Sequence, residues 1–142
     1  MAKDPIPQGM YKPAVRFGGL IYTAGMTPRR DGVLLAAGKI SMADDPEDYR
    51  PAVVQAAKNA LTAAENCLEE GERIVRILSL TVFVNSAPDF TKQPKIADLA
   101  SQYLFEQFGD AGIGARAAVG VASLPGDAPV EVQLIAAAGK VE

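Results

Sequence analysis

Two different periods of hydrophobic and polar residues alternate along the chain, and they predict strands near its start and helices further on. Residues 14–17 and 20–23 flank Gly18-Gly19. Two β-prone runs around a two-residue glycine loop predict a hairpin. Asp31-Gly32 predicts a turn into the short apolar run 33–35. The first third of the chain is therefore predicted to be β structure.

A helical pattern runs from about residue 49 to residue 70. Pro51 is tolerated only in the first turn of a helix, so it places the start close by. Gly71 is predicted to end this helix as its C-terminal cap. Apolar residues that recur at steps of three and four predict the buried face: Val53, Ala57, Ala60, Leu61, Ala64, Cys67 and Leu68.

The next two elements are a buried strand and a second helix. Residues 74–84 are rich in Ile, Leu, Val and Phe without polar alternation at the centre, which predicts a strand covered on both faces. A helix follows Pro88-Asp89 and is predicted to end at Gly109. The residues predicted to form its buried stripe are Ile96, Leu99, Tyr103 and Phe108.

Two final strands, residues 116–123 and 130–138, are joined by a loop in which Pro125-Gly126 fits the centre of a type II turn. The order of elements predicts one α+β domain over residues 1–142, with a mixed β-sheet in one layer and two helices packed on one face. Because the helices can cover only one face of the sheet, association through the open face is expected. A homo-oligomer is therefore predicted.

Composition excludes several classes of function. The net charge is −3, and an acidic chain without a Lys/Arg cluster argues against a nucleic-acid partner. The lone Cys67 cannot form an internal disulfide, and its helical spacing favours a core position over a redox role. The N-terminal residues lack the apolar core of a signal peptide, and no run approaches the roughly 18 apolar residues of a membrane span. A soluble, cytoplasmic protein without membrane contact is expected.

The chain contains no histidine. This excludes Ser-His-Asp and Cys-His catalysis and histidine-rich zinc sites. Any chemistry must therefore use carboxylates, arginine, lysine, tyrosine, hydroxyls, backbone amides or water. No metal and no cofactor are predicted.

Two charged residues in apolar surroundings are the candidates for chemistry. Glu131 shares one face of the last strand with Gln133 and Ile135, and it is either a solvent-facing carboxylate or a shielded one whose raised pKa suits proton transfer. Arg116 is the only charge between residues 115 and 125. One alternative is a structural arginine at the strand edge, which extends to water or pairs with an acidic side chain. The other is an arginine that binds the carboxylate of a ligand. The residues alone leave both alternatives open.

The segments GARAAVGVASLP (residues 114–125) and APVEV (residues 128–132) closely resemble the signature of the Rid, or YjgF-type, family of reactive imine and enamine deaminases. Gly9-Met10-Tyr11 and the hairpin segment up to Ala24-Gly25 support the resemblance. The similarity extends over residues 9–136, and its C-terminal part is the most specific.

The resemblance implies a chorismate-mutase-like protomer that assembles as a homotrimer with ligand sites between subunits. It also implies cofactor-independent hydrolysis of small 2-enamine or 2-imino acids to 2-keto acids and ammonia. Matching positions assign substrate-carboxylate binding to Arg116, water positioning to Glu131 and lining of the cleft to Tyr11. Backbone amides near Gly25 and Ala118 would orient the substrate. The implied partners are a small 2-imino or 2-keto acid and further copies of the chain.

The chain also departs from the active members of the family. Where they carry Ser-Gly-Gln, this chain has Ala24-Gly25-Met26, so a hydroxyl and an amide are missing and the backbone amide of Gly25 is left as a donor. Their asparagine after Asp-Phe is replaced by the stretch from Lys92 to Lys95. A less polar cleft is expected, which leaves the substrate open. The alternative function is a non-catalytic protein that binds small carboxylates and uses Glu131 only structurally.

Arg116 and Glu131 begin two successive strands of opposite direction. At about 3.3 Å per residue, the first of these strands would separate them by well over 10 Å within one subunit. A three-carbon acid cannot span that distance. Each site is therefore expected to pair Arg116 of one subunit with Glu131 of its neighbour.

Overall fold

The structure, a computed structural model, describes residues 4–141. Seven strands and two long helices follow one another along this part of the chain. In chain order they are β1 (Ala14–Phe17), β2 (Leu20–Thr23), β3 (Arg29–Arg30), β4 (Val33–Leu34), α1 (Arg50–Glu65), β5 (Glu72–Asn85), α2 (Gln93–Phe108), β6 (Ala115–Val121) and β7 (Val130–Lys140).

Five of the strands form one mixed sheet in the order β1-β2-β7-β5-β6. The pair β5–β6 is parallel and the other pairs are antiparallel. The remaining strands, β3 and β4, form a separate hairpin around the predicted Asp31-Gly32 turn. The predicted α+β fold is confirmed. The last two strands along the chain are not neighbours, however, because β5 lies between them.

Both helices pack on one face of the sheet. Alternate residues of β7 are buried beneath them, namely Val130, Val132, Leu134 and Ala136. Helix α1 contributes the predicted stripe Val53, Ala57, Ala60, Leu61 and Ala64. Burying a Val or Leu side chain fully contributes about 1.5–3 kcal/mol, so this layer is the main source of stability. Glu131, Gln133 and Ile135 consequently point away from the helices, as predicted.

The predicted end of α1 is wrong. The helix ends at Glu65, and the chain leaves it through a tight turn in which the Cys67 amide donates to the Ala64 carbonyl at 3.0 Å. Gly71 has φ +82° and lies directly before β5, so it turns the chain into the strand and does not cap the helix. Its positive φ suits either role. Cys67 and Leu68 still pack against the core from this turn.

The predicted stripe of α2 is right for Ile96 and Leu99, which are buried. Tyr103 and Phe108 are only partly buried at its edge, and Leu104 takes the central place. Gly109 ends the helix with φ +63°, as predicted.

Strand β5 was predicted to be covered on both faces, and within one protomer this is wrong. Its helix-side residues are buried, whereas Leu78 is 39% exposed. On β1 and β2 the sheet face opposite the helices exposes a row of apolar side chains: Val15, Phe17, Leu20 and Tyr22. The sheet face opposite the helices is therefore apolar on β1 and β2, and one protomer leaves it open.

An ion pair joins β1 to the start of β5. Arg16 donates from Nη1 and Nη2 to the two carboxylate oxygens of Glu72, at 2.5 and 2.8 Å. The Glu72 side chain is only 8% exposed. The Arg16 guanidinium, together with the Glu69 backbone amide, lowers the pKa of Glu72 to about 2.

This pair should contribute to acid unfolding. Because the pKa of Glu72 is lower in the folded chain than its ordinary value of 4.5, its stabilisation is present above pH 4.5 and is lost as the pH falls toward 2. We expect the free energy of unfolding of Glu72→Gln to fall less steeply over this window than that of the wild type. Urea denaturation at a series of pH values measures it, with the exposed Glu70→Gln as control. Equal slopes for Glu72→Gln and the wild type would contradict the prediction.

Candidate active site

Two of the predicted site residues, Tyr11 and Gly25, line one cavity of about 290 Å³. The N-terminal arm, helix α1 and the β3–β4 hairpin form its walls. The Tyr11 hydroxyl accepts a hydrogen bond from the Gln8 amide at 3.0 Å, which holds the ring against the arm. The structure thus brings Tyr11 and Gly25 together.

Glu131 lies directly against Gly25. The segment after β2 pairs with β7 through Met26, whose amide donates to the Val132 carbonyl at 2.7 Å and whose carbonyl accepts from the Val132 amide at 2.9 Å. A Cβ atom on Gly25 would lie 2.8 Å from Cδ of Glu131 and closer still to its Oε2. Only glycine leaves room for the carboxylate here.

The Glu131 side chain is partly buried, opposite Phe83 of β5. Residues 4–141 supply it with no hydrogen bond and no ion pair, and burial raises its pKa above the ordinary value. The carboxylate oxygens therefore remain available as acceptors in a site that is partly shielded from bulk water.

A fully buried asparagine fixes the loop that leads to Glu131. Asn85, at the end of β5, donates from Nδ2 to Asp127 Oδ1 and to the Ala128 carbonyl, both at 3.0 Å. The preceding turn is closed by the Asp127 amide, which donates to the Leu124 carbonyl at 3.0 Å. Gly126 has φ +65°, as the predicted type II turn requires.

Arg116 lies on the edge strand β6, with its side chain toward α2. Its Nη1 donates to Asp98 Oδ1 at 2.7 Å and to Ser101 Oγ at 3.2 Å. Within the described part of the chain, its Nε and Nη2 donate no hydrogen bond. These two groups form one edge of the guanidinium, which is the geometry that binds a carboxylate bidentately.

Arg116 and Glu131 are not brought together within one protomer. Arg116 pairs with Leu80 of β5 and points to the helix side, whereas Glu131 pairs with Phe83 and points to the other side. Two strand spacings and three residues along β5 place their Cα atoms about 14 Å apart. This agrees with the predicted separation of more than about 10 Å, but the predicted reason, a full strand length, is wrong, because the two residues are offset by only three residues along β5 and the two strand spacings contribute about as much. Ala118 follows Arg116 by two residues on β6, on the same face of the strand, and pairs with Val82 of β5.

The predicted site residues thus fall into two groups, Tyr11, Gly25 and Glu131 in one and Arg116 and Ala118 in the other. Met26 is 7% exposed and packs in the core, which explains why an apolar residue stands there. Among residues 4–141, no group of His, Cys, Asp and Glu is placed to hold a metal ion. Nor does this part of the chain include a helix long and apolar enough to cross a membrane.

The sequence interpretation missed two sets of residues. Asp98 and Ser101 hold Arg116, and they lie one helical turn apart on α2. Arg29, Arg30 and Lys58 line the cavity beside Gly25. The adjacent arginines before the Asp31-Gly32 turn were the one local signal for this second set.

Replacing Gly25 with alanine should lower activity through Glu131. The added methyl group would overlap the carboxylate, so the side chain must move or the Met26–Val132 pairing must open. We expect kcat of the imine hydrolysis that the resemblance implies to fall by about 100-fold, the effect of displacing Glu131 by about 1 Å if it takes part in the reaction. Steady-state kinetics measures this loss, and Gly19→Ala in the β1–β2 loop is the control. An unchanged kcat would show that Glu131 tolerates a neighbouring Cβ.

A family model described as endoribonuclease L-PSP matches residues 1–138. Protein TCP17 of Trypanosoma cruzi is 32% identical over 130 residues, which cover 91% of this chain and 81% of that protein. An Agrobacterium tumefaciens protein of unknown function has a similar structure, with a TM-score of 0.80 and 34% identity over 90% of this chain and 81% of its own. E. coli TdcF with bound serine matches with a TM-score of 0.62 and 27% identity, over 94% and 91% of the two chains.

The family match extends over nearly the whole chain, including the segments that carry Arg116 and Glu131. RutC-family proteins and the E. coli YjgF protein are similar to it as well. These matches agree with the observed mixed sheet and its two helices. The chain therefore belongs to the endoribonuclease L-PSP family, which is the YjgF and RutC family that its motifs indicated.

Proposed function

We propose that this protein is a hydrolytic deaminase of small 2-imino and 2-enamine acids, which releases 2-keto acids and ammonia. The observation that carries the proposal is the carboxylate of Glu131, which lies against Gly25 without a hydrogen-bond partner among residues 4–141. Its raised pKa makes it a better proton acceptor than an exposed glutamate. Such a group is suited to orient a water molecule and to take a proton from it.

The proposed reaction needs no covalent nucleophile, because C2 of a protonated 2-imino acid is already electrophilic. Water adds to C2 while Glu131 accepts one of its protons, and the C–N double bond becomes a single bond. That proton then passes to nitrogen, Glu131 accepts the proton of the new C2 hydroxyl as the carbonyl forms, and the C–N bond breaks to release ammonia. One water is consumed for each keto acid released. Positioning and electrostatics supply most of the acceleration in such a site.

Substrate binding is assigned to Arg116 of a neighbouring protomer in a homotrimer. Its Nε and Nη2, which donate to no acceptor among residues 4–141, suit the carboxylate on C1, while backbone amides near Gly25 and Ala118 would orient the substrate. Within one protomer Glu131 lies on the other face of the sheet from Arg116. The open sheet face, where Phe17 is 85% exposed, supports self-association. Bound serine in E. coli TdcF gives independent support, because serine carries a carboxylate next to an amine.

A coupled assay tests the proposal. A pyridoxal-phosphate dehydratase acting on serine or threonine generates 2-iminopropanoate or 2-iminobutanoate, and keto-acid release is followed with and without the protein. The wild type should accelerate release beyond the spontaneous rate, and Arg116→Ala should not. If the wild type leaves the spontaneous rate unchanged for both imines and for longer-chain imines, the proposed activity is wrong.

A second candidate is a protein that binds small carboxylates without catalysis. Ala24 and the buried Met26 favour it, because neither residue beside Gly25 offers a side-chain hydroxyl or amide to a substrate. Calorimetric binding of a 2-keto acid that depends on Arg116, without any imine hydrolysis, would support this candidate. The family's description as endoribonuclease suggests RNA cleavage as a further assay. The net charge of −3 and the absence of histidine in the sequence disfavour that activity.

A further inference from the structure

Three cationic side chains line the cavity beside Gly25, namely Arg29, Arg30 and Lys58. None of them forms an ion pair with an acidic side chain of residues 4–141. Two acids, Asp4 and Asp31, also line the cavity. The lining therefore carries one more positive charge than negative charge, although the whole chain is acidic.

The hydrogen bonds of the two arginines also leave donors free. Arg29 donates from Nη1 to the Gly32 carbonyl at 3.0 Å, but its buried Nε has no partner among the described residues. Arg30 donates from Nε to Gln55 Oε1 at 3.2 Å, which leaves both of its Nη groups free within the same range of the chain. Buried donors of a charged group are rarely left without an acceptor. This applies to the Arg29 Nε, while the exposed Nη groups of Arg30 are accessible to an anionic ligand in the cavity.

The position of the cavity connects it to the proposed reaction. Gly25 forms part of its wall and also contacts Glu131, and Tyr11 lies on the same wall. Glu131 itself does not line the cavity, so the cavity adjoins the proposed reaction centre through Gly25, and the side chain of a substrate whose C2 is held near Glu131 would have to pass Gly25 to enter it. The volume of about 290 Å³ lies at the lower end of small-molecule sites and is sufficient for a short acidic side chain.

We infer that the preferred substrates are 2-imino dicarboxylic acids, whose side-chain carboxylate binds to Arg30, Lys58 and Arg29. This inference rests on the proposed function, and it assigns the cavity to the distal end of the substrate. The carboxylate on C1 remains with Arg116 of the neighbouring protomer. The two carboxylates would then be bound by two separate cationic groups, with C2 between them.

The test compares two imino acids of equal chain length, one acidic and one neutral. An amino-acid oxidase generates 2-iminoglutarate from glutamate and 2-iminopentanoate from norvaline in situ. We expect kcat/KM of the wild type to favour 2-iminoglutarate by about tenfold, the effect of about one charge-assisted hydrogen bond. Lys58→Gln and Arg30→Gln should each reduce this preference, whereas the exposed Lys140→Gln is the matched control and should keep it.

A second measurement separates this inference from the proposed function. Calorimetry with the stable keto acids 2-oxoglutarate and 2-oxopentanoate reports binding without turnover. Tighter binding of 2-oxoglutarate that is lost in Lys58→Gln supports the acidic-substrate cavity even if no imine is hydrolysed. Equal kcat/KM values or equal affinities for the acidic and neutral compounds would overturn the inference, while hydrolysis of 2-iminopentanoate alone would leave the deaminase proposal standing.

Discussion

Glu131→Gln should lose most of its imine-hydrolysis activity while the fold becomes no less stable than that of the wild type. Glutamine has nearly the same shape but cannot accept a proton from water, and removing a general base lowers kcat by about 10²–10⁴-fold. The same substitution should not lower the free energy of unfolding and is expected to raise it. Burial raises the pKa of Glu131 in the folded chain, so the ionised carboxylate destabilises the fold at pH values above its ordinary pKa.

Steady-state kinetics and urea denaturation at pH 7 measure the two effects on the same protein. Glu106→Gln, at an exposed position of α2, is the control for removing one negative charge. In the wild type, kcat should decrease as the pH is lowered, with a midpoint above pH 4.5 where Glu131 becomes protonated. Any residual kcat of the variant should not show this decrease. A kcat close to the wild-type value in Glu131→Gln would remove Glu131 from the mechanism.

Mixing Arg116→Ala with Glu131→Ala protein should restore activity that neither variant has alone. Each proposed site takes its arginine from one protomer and its glutamate from the next. In a trimer that contains both variants, the two intact residues meet in one of the three sites, so up to about a third of wild-type activity should return in the isolated hybrids. The two variants are co-expressed with different affinity tags, and hybrid trimers are isolated by purification on both tags.

The matched control mixes Arg116→Ala with the double variant that lacks both side chains. No hybrid site in that mixture contains an arginine, so activity should stay absent. Native mass spectrometry confirms that the subunits have mixed. If hybrid trimers form from the two single variants and remain inactive, the shared site is wrong.

Local features of the fold follow from local sequence. The Gly18-Gly19 hairpin, the end of α2 at Gly109 and the two faces of β7 depend on residues close together in the chain, and all three match the structure. The end of α1 does not, because a glycine with positive φ serves equally well after a helix or before a strand. Gly71 takes the second role.

The assembled site depends on contacts that are distant in sequence. Gly25 contacts Glu131 because the segment after β2 pairs with β7, and nothing near either residue encodes that pairing. Arg116 meets Asp98 only once α2 has packed over β6. The sequence motif therefore identified Arg116 and Glu131 as candidates. Their contacts with other residues, and their positions on opposite faces of the sheet, could be seen only once the order of the strands was known.

Under the proposed shared site, the placement of Arg116 and Glu131 on opposite faces of one sheet would also link activity to abundance. If the site is shared between protomers, as proposed, a folded but isolated chain should be inactive. Specific activity should then fall on dilution through the dissociation range of the trimer, although the chain stays folded. A cell that makes little of this protein would lose deaminase capacity faster than it loses polypeptide, and expression level would act as a threshold for the activity.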